Sequence, residues 1–271
     1  MEGAAVEFDR VWFSYSGGGN YALADVSFLA TRGEIVALAG RNGSGKTTAL
    51  KLLNGLLKPT RGAVRVLGVD TRNIGTGKLS RHVGLVFQNP RTQLFAMTAL
   101  EEAAFGPRNF RLEDPLGAAM RSLASLGLRG LEGAPPLSLS GGQQKRLTVA
   151  AATSWGPEVI GLDEPTVGQD LINRMRLVGL IRLWASRGIT TIIATHDVEF
   201  IWLLGARVIL MSKGSVLADG PAHKVLLDPA AEAAGLRTPQ VAEAARLLGL
   251  PEVPRGVPEL VSALARAGGR S

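Results

Sequence analysis

Cysteine is absent from the 271-residue sequence. Its absence excludes disulfide scaffolds, thiolate zinc sites, iron–sulfur clusters and thiol nucleophiles. No apolar run reaches the ~18 residues that a membrane-spanning helix needs, because charge interrupts the most hydrophobic stretch, residues 200–211. The first ten residues, MEGAAVEFDR, lack the basic start and the apolar segment of a signal peptide. Together these absences predict a soluble, cytosolic protein.

Acidic residues are outnumbered, since 30 Lys or Arg face 23 Asp or Glu and the formal net charge is +7. The excess is concentrated in the first hundred residues, where 12 basic and 6 acidic side chains leave a net charge of +6. This balance points to an anionic partner such as a nucleotide, a nucleic acid or a membrane surface. With 46% apolar residues, the chain can bury the core of one large α/β domain.

Short strand-like apolar runs alternate with helical patterns along most of the chain. The runs predict strands at residues 6–13, 26–30, 34–39, 63–67, 83–87, 159–162, 190–194 and 208–211. This alternation is typical of a parallel sheet covered by helices on both faces. Two segments depart from it: residues 89–155 predict a helical insertion, and residues 230–271 predict a small extension of two or three short helices.

A glycine-rich loop follows the strand pattern that ends at Ala39 and precedes a helical pattern at residues 47–57. Residues 40–47, GRNGSGKT, match G-x-x-x-x-G-K-[ST] in the strand–loop–helix context that makes this motif informative. The glycines let backbone N–H groups face phosphate oxygens, and the helix N-terminus adds partial positive charge. The predicted nucleoside triphosphate site consists of Gly40, Asn42, Gly43, Ser44, Gly45, Lys46, Thr47 and Thr48. Lys46 would reach the β- and γ-phosphates, and the Thr47 hydroxyl would serve Mg²⁺.

The strand pattern at residues 159–162 ends in an acidic pair, Asp163 and Glu164. The carboxyl ends of strands form the ligand edge of an open α/β sheet. Beside a phosphate loop, Asp163 would hold Mg²⁺ through water, and Glu164 would orient or deprotonate the water that attacks the γ-phosphate. Taken alone, such a pair is more often a solvated turn.

Residues 139–143, LSGGQ, open another helical pattern, and Gln143 lies 20 residues before Asp163. With this segment the chain resembles the ATP-binding cassette (ABC) family, which carries such a signature shortly before its acidic strand. The resemblance covers residues 10–220 and implies an α/β P-loop NTPase fold. The expected parts are a mainly parallel sheet core, an antiparallel β subdomain and a helical subdomain at about residues 89–155. The cassette would occupy residues 1–229 and bind ATP and Mg²⁺.

The resemblance also implies roles for single residues outside the two main motifs. Tyr15 would stack on adenine, with Tyr21 as the alternative aromatic. Gln88 would contact Mg²⁺ and sense the γ-phosphate. Asp170 corresponds to the D-loop aspartate, and His196 to the switch histidine near the γ-phosphate. The implied catalytic set is therefore Lys46, Gln88, Glu164 and His196, although each such residue alone is more often structural.

In this family the signature of one chain completes the phosphate loop of another. The resemblance therefore implies that the signature contacts the nucleotide of a partner through Ser140, Gly141, Gly142 and Gln143. The chain would act as a homodimer or as a heterodimer with a similar ATPase. Two positions depart from the family pattern: Gly161 interrupts the apolar strand, and Gln169 stands where Leu is common, which bears on the contact across a dimer interface.

Within the family, residues 87–98 (FQNPRTQLFAMT) and 101–109 (EEAAFGPRN) closely resemble energy-coupling factor ATPases and their cobalt/nickel relatives. Residues 54–56 and 195–202 agree with that subgroup. The resemblance implies an importer of a vitamin or a transition-metal ion, with a transmembrane scaffold and a substrate-binding membrane protein as partners. The ATPase would lie at the cytoplasmic face of the cell membrane.

Two other functions compete with this interpretation. One is an ATPase of a different ABC importer class. The other is a soluble nucleic-acid-linked cassette, but part of the N-terminal charge lies in the phosphate loop and neither a long coiled-coil insertion nor a second cassette is present. We therefore expect no nucleic-acid partner.

Two surfaces are expected to meet protein partners. By resemblance, the extension at 230–271 helps the ATPases to dimerise; the alternative is a solvated helical tail. Residues 88–95 would line a groove for the transmembrane subunit. Leu94, Phe95 and Met97 predict an exposed apolar patch beside Arg91, and the alternative for Phe95 is a place in the core.

Overall fold

The computed structural model of this chain describes residues 3–17, 19–250 and 253–268. Residues 1–2 and 18 of the predicted cassette, and 251–252 and 269–271 of the predicted extension, lie outside the described residues. The strands are β1 (Ala4–Phe13), β2 (Leu23–Thr31), β3 (Ile35–Ala39), β4 (Arg61–Val66), β5 (Val69–Asp70), β6 (Val83–Val86), β7 (Val159–Asp163), β8 (Thr190–Thr195), β9 (Arg207–Ser212) and β10 (Ser215–Pro221). The helices are α1 (Lys46–Leu53), α2 (Thr76–Leu79), α3 (Ala99–Asn109), α4 (Pro115–Ser125), α5 (Gly141–Thr153), α6 (Leu171–Ser186), α7 (Val198–Leu204), α8 (Ala222–Val225), α9 (Pro229–Ala233), α10 (Gln240–Leu247) and α11 (Val257–Gly268).

The larger sheet has six strands in the order β10-β9-β3-β8-β7-β6. Strands β9, β3, β8, β7 and β6 are parallel, and β10 runs antiparallel to β9. The predicted mainly parallel core is confirmed. Because parallel strands end at the same edge, the loop after β3 and the acidic pair after β7 lie on one side of the sheet, with β8 between them.

Both faces of this sheet are covered, as the apolar strands predict. On β3, Val36 and Leu38 join a cluster that also contains buried residues of α1, β1 and β2. Ala37 and Ala39 point to the opposite face, where the cluster contains residues of α3–α7 and of the C-terminal helices. The alternation of successive side chains therefore divides the core into two layers.

The smaller sheet is antiparallel, with the strand order β2-β1-β4-β5. Phe8 of β1 and Phe28 of β2 are cross-strand partners, and their rings stack with centroids 4.5 Å apart. Both phenylalanines belong to the cluster that also contains α1. This sheet is the antiparallel β subdomain that the family resemblance implies.

Between β6 and β7 the described chain forms helices and no strand. The start of α3 lies where the sequence indicates a cap, since the Thr98 side chain accepts a hydrogen bond from the Glu101 backbone N–H at 3.2 Å. Ser140 and Gln143 cap α5 in the same way, as described below. The predicted helical character of residues 89–155 is thus confirmed at the level of secondary structure.

Helix α1 ends at Leu53, earlier than the helical pattern at 47–57 indicates. The reason is Gly55, whose φ of +73° belongs to the left-handed region and stops the helix. Gly161, which departs from the family pattern, lies beneath α1. A Cβ at this position would be 2.8 Å from Leu85 Cδ1 and 3.3 Å from Leu50 Cδ2, so the glycine allows helix and sheet to pack closely.

The C-terminal extension packs against the cassette, which contradicts the alternative of a solvated tail. The backbone N–H of Gln240 donates to Glu199 Oε1 at 2.7 Å, and Trp202 Nε1 donates to the Pro254 carbonyl at 3.0 Å. Val241 and Ala242 are buried in the main core. The boundary at residue 229 stays a prediction. Across the part of the chain described, no helix is both long and apolar enough to span a membrane.

Candidate nucleotide site

The phosphate loop, residues 40–47, connects β3 to α1 and depends on two glycines. Gly45 is the N-cap of α1 with φ +103°, and a Cβ there would lie 2.6 Å from Leu23 Cδ2 and 2.8 Å from the Ala22 carbonyl. Gly40 has φ +153°, and a Cβ would overlap the Met211 carbonyl oxygen. No side chain caps α1, so the N–H groups of its first turn remain available for an anion.

Lys46 lies inside the phosphate loop and is only 6% exposed. Its Nζ atom donates to the backbone carbonyls of Gly40 at 2.7 Å and Arg41 at 3.0 Å. Burial lowers the pKa of Lys46, whereas the nearby carboxylates of Glu164 and Asp163 oppose this shift. The ammonium is therefore held at the loop by neutral acceptors, and phosphate oxygens would be stronger ones.

Asp163 ends β7 and faces α1 across the site. Thr47 Oγ1 donates to Asp163 Oδ2 at 2.9 Å, which joins the phosphate loop to the acidic strand. Burial raises the pKa of the Asp163 carboxyl, while the Thr47 hydrogen bond and the Lys145 ammonium act in the opposite direction. Two of the three predicted metal ligands, Thr47 and Asp163, are thus in direct contact.

Glu164 is 4% exposed and has a φ of +44°, a conformation that non-glycine residues rarely adopt. Its carboxylate is held at both oxygens. Thr195 Oγ1 donates to Oε2 at 2.8 Å, and His196 Nδ1 lies 2.7 Å from Oε1. Thr195 is the last residue of β8, and His196 is the residue after it. Because β7 and β8 are paired neighbours, these two side chains hold the Glu164 carboxylate in place.

An open cleft of about 470 Å³ runs along these groups. It is lined by Tyr15, Ala22, Asn42, Gly43, Gly45, Lys46, Thr47, Thr48, Gln88, Asp163 and Glu164. Tyr15 is 62% exposed and its hydroxyl lies 3.1 Å from Thr48 Oγ1, while Tyr21 packs edge-on against Trp12 at 4.9 Å. The position of Tyr15 therefore fits adenine stacking and that of Tyr21 does not. Gln88 is exposed on the other side of the cleft.

His196 lines a neighbouring cavity of about 930 Å³, and Glu164 borders both spaces. This second cavity lies between the acidic edge and the C-terminal extension, including Gly235 and Gln240. The side chain of His196 is 56% exposed. Glu164, the predicted catalytic carboxylate, and His196 are thus in contact, but His196 lines the neighbouring cavity and not the cleft.

The signature segment is placed apart from the cleft. Ser140 Oγ accepts from the Gln143 backbone N–H at 3.3 Å, and Gln143 Oε1 accepts from the Ser140 N–H at 2.9 Å, a capping box. None of residues 140–143 lines the cleft. Ser140 and Gly141 are exposed, so this helix start faces solvent with its cap formed.

Residues 23–167, more than half of the sequence, match the ABC transporter family. The chain belongs to the ABC transporter family. It is 38% identical to the energy-coupling factor transporter ATP-binding protein EcfA of Methanocaldococcus jannaschii over 250 residues, which are 90% of this chain and 88% of that relative. Its fold is that of an ABC ATPase cassette.

Two solved structures are similar to this ABC cassette. One is CbiO1 from Clostridium perfringens, part of the ABC transporter complex CbiONQ, with 31% identity, a TM-score of 0.76, and coverage of 91% of this chain and 96% of that one. The other is a dimeric ATP-binding cassette in a post-hydrolysis state bound to ADP and phosphate, with 29% identity, a TM-score of 0.74, and coverage of 80% and 98%.

In this ABC cassette the D-loop residues lie beside the signature of the same chain. Asp170 caps α6 by accepting from the Asn173 N–H at 2.8 Å. Gln169 Nε2 donates to the Gly142 carbonyl at 3.1 Å, and Arg146 Nη1 donates to Gln169 Oε1 at 3.3 Å. Gln169 stands where leucine is common in the family, and its side-chain amide connects the D-loop to α5 within the same chain.

One part of the predicted partner patch is wrong. Leu94 is 7% exposed and belongs to the core, whereas Phe95 and Met97 are 64% and 79% exposed. Glu102 is the reason for this turn, because its buried Oε2 accepts from the backbone N–H groups of Phe95 at 2.9 Å and Ala96 at 2.8 Å. The core alternative for Phe95 is contradicted as well.

Sequence reasoning missed three side chains that shape the site. Thr195 donates to Glu164, and Gln93 bonds to the Phe87 N–H and the Leu85 carbonyl. Lys145 donates to the backbone carbonyls of Gln88 and Asp163. The only signal for Lys145 was its position on the buried face of α5 with Thr148, Val149 and Ala152, an unusual place for lysine.

Proposed function

We propose that this chain is the ATP-binding and ATP-hydrolysing subunit of an energy-coupling factor importer. The observation that carries the proposal is the cleft in which Lys46 and Thr47 meet Asp163, Glu164 and Gln88. The phosphate loop provides the site for the triphosphate, and the buried carboxylates Asp163 and Glu164 provide the groups for metal binding and for activation of water. EcfA and CbiO1, the relatives described above, support the assignment to this class of importer.

The residues of the cleft fit a magnesium ion. Thr47 hydroxyl, Asp163 carboxylate and the Gln88 amide oxygen are hard oxygen donors, and the first two are in contact at 2.9 Å. A magnesium ion held there with ATP would supply positive charge against the β- and γ-phosphates. Asp163 and Thr47 would hold it, and Gln88 would complete the set from the opposite side of the cleft.

Hydrolysis follows from the same arrangement. Lys46 and the free N–H groups at the start of α1 hold the triphosphate, and Glu164 orients a water molecule and accepts its proton at a carboxylate oxygen. The oxygen of this water forms a bond to the γ-phosphorus as the bond to the β–γ bridging oxygen breaks, giving ADP and phosphate. Thr195 and His196 keep Glu164 in place. The γ-phosphate contact of His196 is proposed from the family resemblance alone, because its side chain lines the neighbouring cavity and not the cleft.

The position of the signature supports a dimer. Residues 140–143 are absent from the lining of the cleft, and α5 begins at an exposed surface. A second chain, the same or similar, would bring its signature to this cleft and complete the site. The tightly packed C-terminal extension, which lies beside His196 and Glu199, is proposed to contribute to the contact between the two ATPases.

A mixing experiment tests the composite site. We expect Ser140→Arg alone and Lys46→Ala alone to lose nearly all ATPase activity. When Ser140→Arg is mixed with an excess of Lys46→Ala, part of the activity should return, because a mixed dimer contains one site with Lys46 and Ser140 both intact. Phosphate release is measured across mixing ratios. Failure to recover activity at any ratio would show that each chain builds its site alone.

The importer assignment places the ATPase at the cytoplasmic face of the cell membrane, bound to a transmembrane scaffold that works with a substrate-binding membrane protein. The exposed Phe95 and Met97, with Phe105 in edge-to-face contact with Phe95 at 4.8 Å, form the proposed scaffold-binding patch. The expected cargo class is a vitamin or a transition-metal ion. No contact of this subunit with nucleic acid is proposed.

Co-purification with co-expressed membrane subunits tests this assignment. We expect the wild-type chain to be recovered with one scaffold and a separate substrate-binding protein. Phe95→Asp should reduce that recovery at least about tenfold, since a charge would be buried in an apolar contact. Leu217→Asp, at an exposed apolar residue of β10, is the control and should not. Recovery with a pair of transmembrane subunits of another importer class would contradict the subgroup.

A further inference from the structure

Lys145 lies in the first half of α5 and is only 2% exposed, although lysine is among the residues least often buried. Its neighbours on the buried face of the helix are Thr148, Val149 and Ala152. Burial of a charged group in such surroundings is unfavourable unless hydrogen bonds compensate for it. The hydrogen-bond acceptors of Lys145 must therefore account for its burial.

All three donors of the Lys145 ammonium have backbone acceptors. Nζ donates to the carbonyls of Phe87 at 2.8 Å, Gln88 at 3.2 Å and Asp163 at 2.8 Å. Burial lowers the pKa of Lys145 to about 8, with Asp163 and Glu164 opposing the shift. Three carbonyl acceptors around this one side chain compensate for the water that it loses on burial.

The acceptors lie immediately beyond the end of a strand pairing. Strands β6 and β7 pair in parallel as far as Val86 and Leu162. After these residues the ladder stops, and Lys145 joins the two backbones instead. Gln93 holds the same segment after β6 through the Phe87 N–H at 3.1 Å. The distance between the backbones of Gln88 and Asp163 therefore depends on a side chain of α5.

We propose that Lys145 is a positioning residue, which holds the Gln88 segment against the end of β7 and so sets where Gln88 stands in the nucleotide cleft. The helix that carries Lys145, α5, also begins with the signature. Lys145 therefore connects the nucleotide cleft of this chain to the helix whose start is proposed to contact the partner chain. The proposal rests on the ATPase activity proposed above. Lys145 does not itself line the cleft, and it reaches the lining residues Gln88 and Asp163 only through their backbone carbonyls.

The test compares Lys145→Met, Lys145→Arg and the exposed control Lys78→Met in the full chain. Methionine retains a long apolar stem and removes the three donors, whereas arginine retains charge and donors. We measure kcat, the Mg²⁺ concentration that gives half-maximal hydrolysis, the affinity for a fluorescent ATP analogue in EDTA, and the melting temperature.

We expect Lys145→Met to lower kcat about 30-fold and to raise the Mg²⁺ requirement, since small displacements at a reacting centre are costly. Metal-free nucleotide affinity should stay within about twofold, because Lys46 is untouched.

A double-mutant cycle with Gln88→Ala decides whether Lys145 acts through Gln88. If it does, Lys145→Met should change kcat by less than about threefold once Gln88 is gone, while it changes kcat about 30-fold when Gln88 is present. Lys145→Arg should recover most of the activity, and Lys78→Met should behave as wild type. If Lys145→Met melts below the assay temperature, Lys145→Gln takes its place in the same cycle.

Three results would overturn the proposal: wild-type kinetics in the neutral variant, equal losses with and without Gln88, or a loss of metal-free nucleotide binding in step with a lowered melting temperature. The last pattern would show a purely structural lysine. A wild-type chain that neither binds nor hydrolyses ATP would instead contradict the proposed function, so the two failures are distinguishable.

Discussion

Replacing Glu164 by glutamine should abolish ATP turnover while ATP binding persists. Glutamine keeps the size of the side chain and can still accept from Thr195 and meet His196 Nδ1, so the fold around β7 and β8 is preserved. What disappears is the carboxylate that takes the proton of the attacking water. Loss of a general base costs about 10²- to 10⁴-fold in rate, and we expect kcat to fall at least about 100-fold.

The matched control for this variant is Glu158→Gln. Glu158 precedes β7 and pairs with a histidine too, since its Oε2 lies 3.2 Å from His82 Nδ1, but it stands at the opposite edge of the sheet. Its replacement should leave kcat within about twofold, because this half-exposed pair lies outside the cleft. Glu164→Gln should also accumulate as an ATP-bound dimer in light-scattering measurements. Normal hydrolysis by Glu164→Gln would remove Glu164 from the mechanism.

Replacing Lys46 by alanine should weaken ATP binding about 100-fold. The ammonium is the buried cation of the phosphate loop, and at present it satisfies the Gly40 and Arg41 carbonyls. Hydrogen bonds to charged groups contribute about 1.5–3 kcal/mol each, and two of them to phosphate oxygens correspond to a loss of roughly 3 kcal/mol or more. Alanine also removes one of the two lysine charges near Asp163 and Glu164, which adds repulsion toward the triphosphate.

Calorimetric titration with ATP checks this expectation. Lys51→Ala is the control, because Lys51 lies in the last turn of the same helix and outside the cleft. It removes the same charge from α1 and should leave the dissociation constant unchanged within about twofold, since charges near the surface are screened. An unaltered ATP affinity in Lys46→Ala would mean that residues 40–47 are not the triphosphate site.

Motifs whose residues are close in sequence could be predicted well. The phosphate loop needs glycine, lysine and hydroxyl groups within eight residues, and the structure forms it between β3 and α1 as expected. The helix start at residues 139–143 is likewise found where the sequence indicates it, since α5 begins at Gly141. Such features depend on local backbone geometry, which short sequence patterns determine.

Contacts between distant segments could not be predicted in this way. Thr195 and Glu164 are 31 residues apart, yet β7 and β8 are neighbours, so the hydroxyl supports the carboxylate. Gly161 appeared as an interruption of an apolar strand, and only the approach of Leu85 on β6 and Leu50 on α1 explains it. Leu94 is buried because Glu102 folds the turn that follows it.

The absences in the sequence already determined much about this protein. Without cysteine, and with a basic phosphate loop followed by an acidic strand, its chemistry had to rest on carboxylates, lysine, histidine and backbone N–H groups. Tertiary structure alone decided which of these groups share a cleft and which face outward, as the exposed signature and the buried Lys145 show. The reason is physical: residue types limit the possible chemistry, whereas burial and distance between groups far apart in the chain arise only when the sheet and its helices pack.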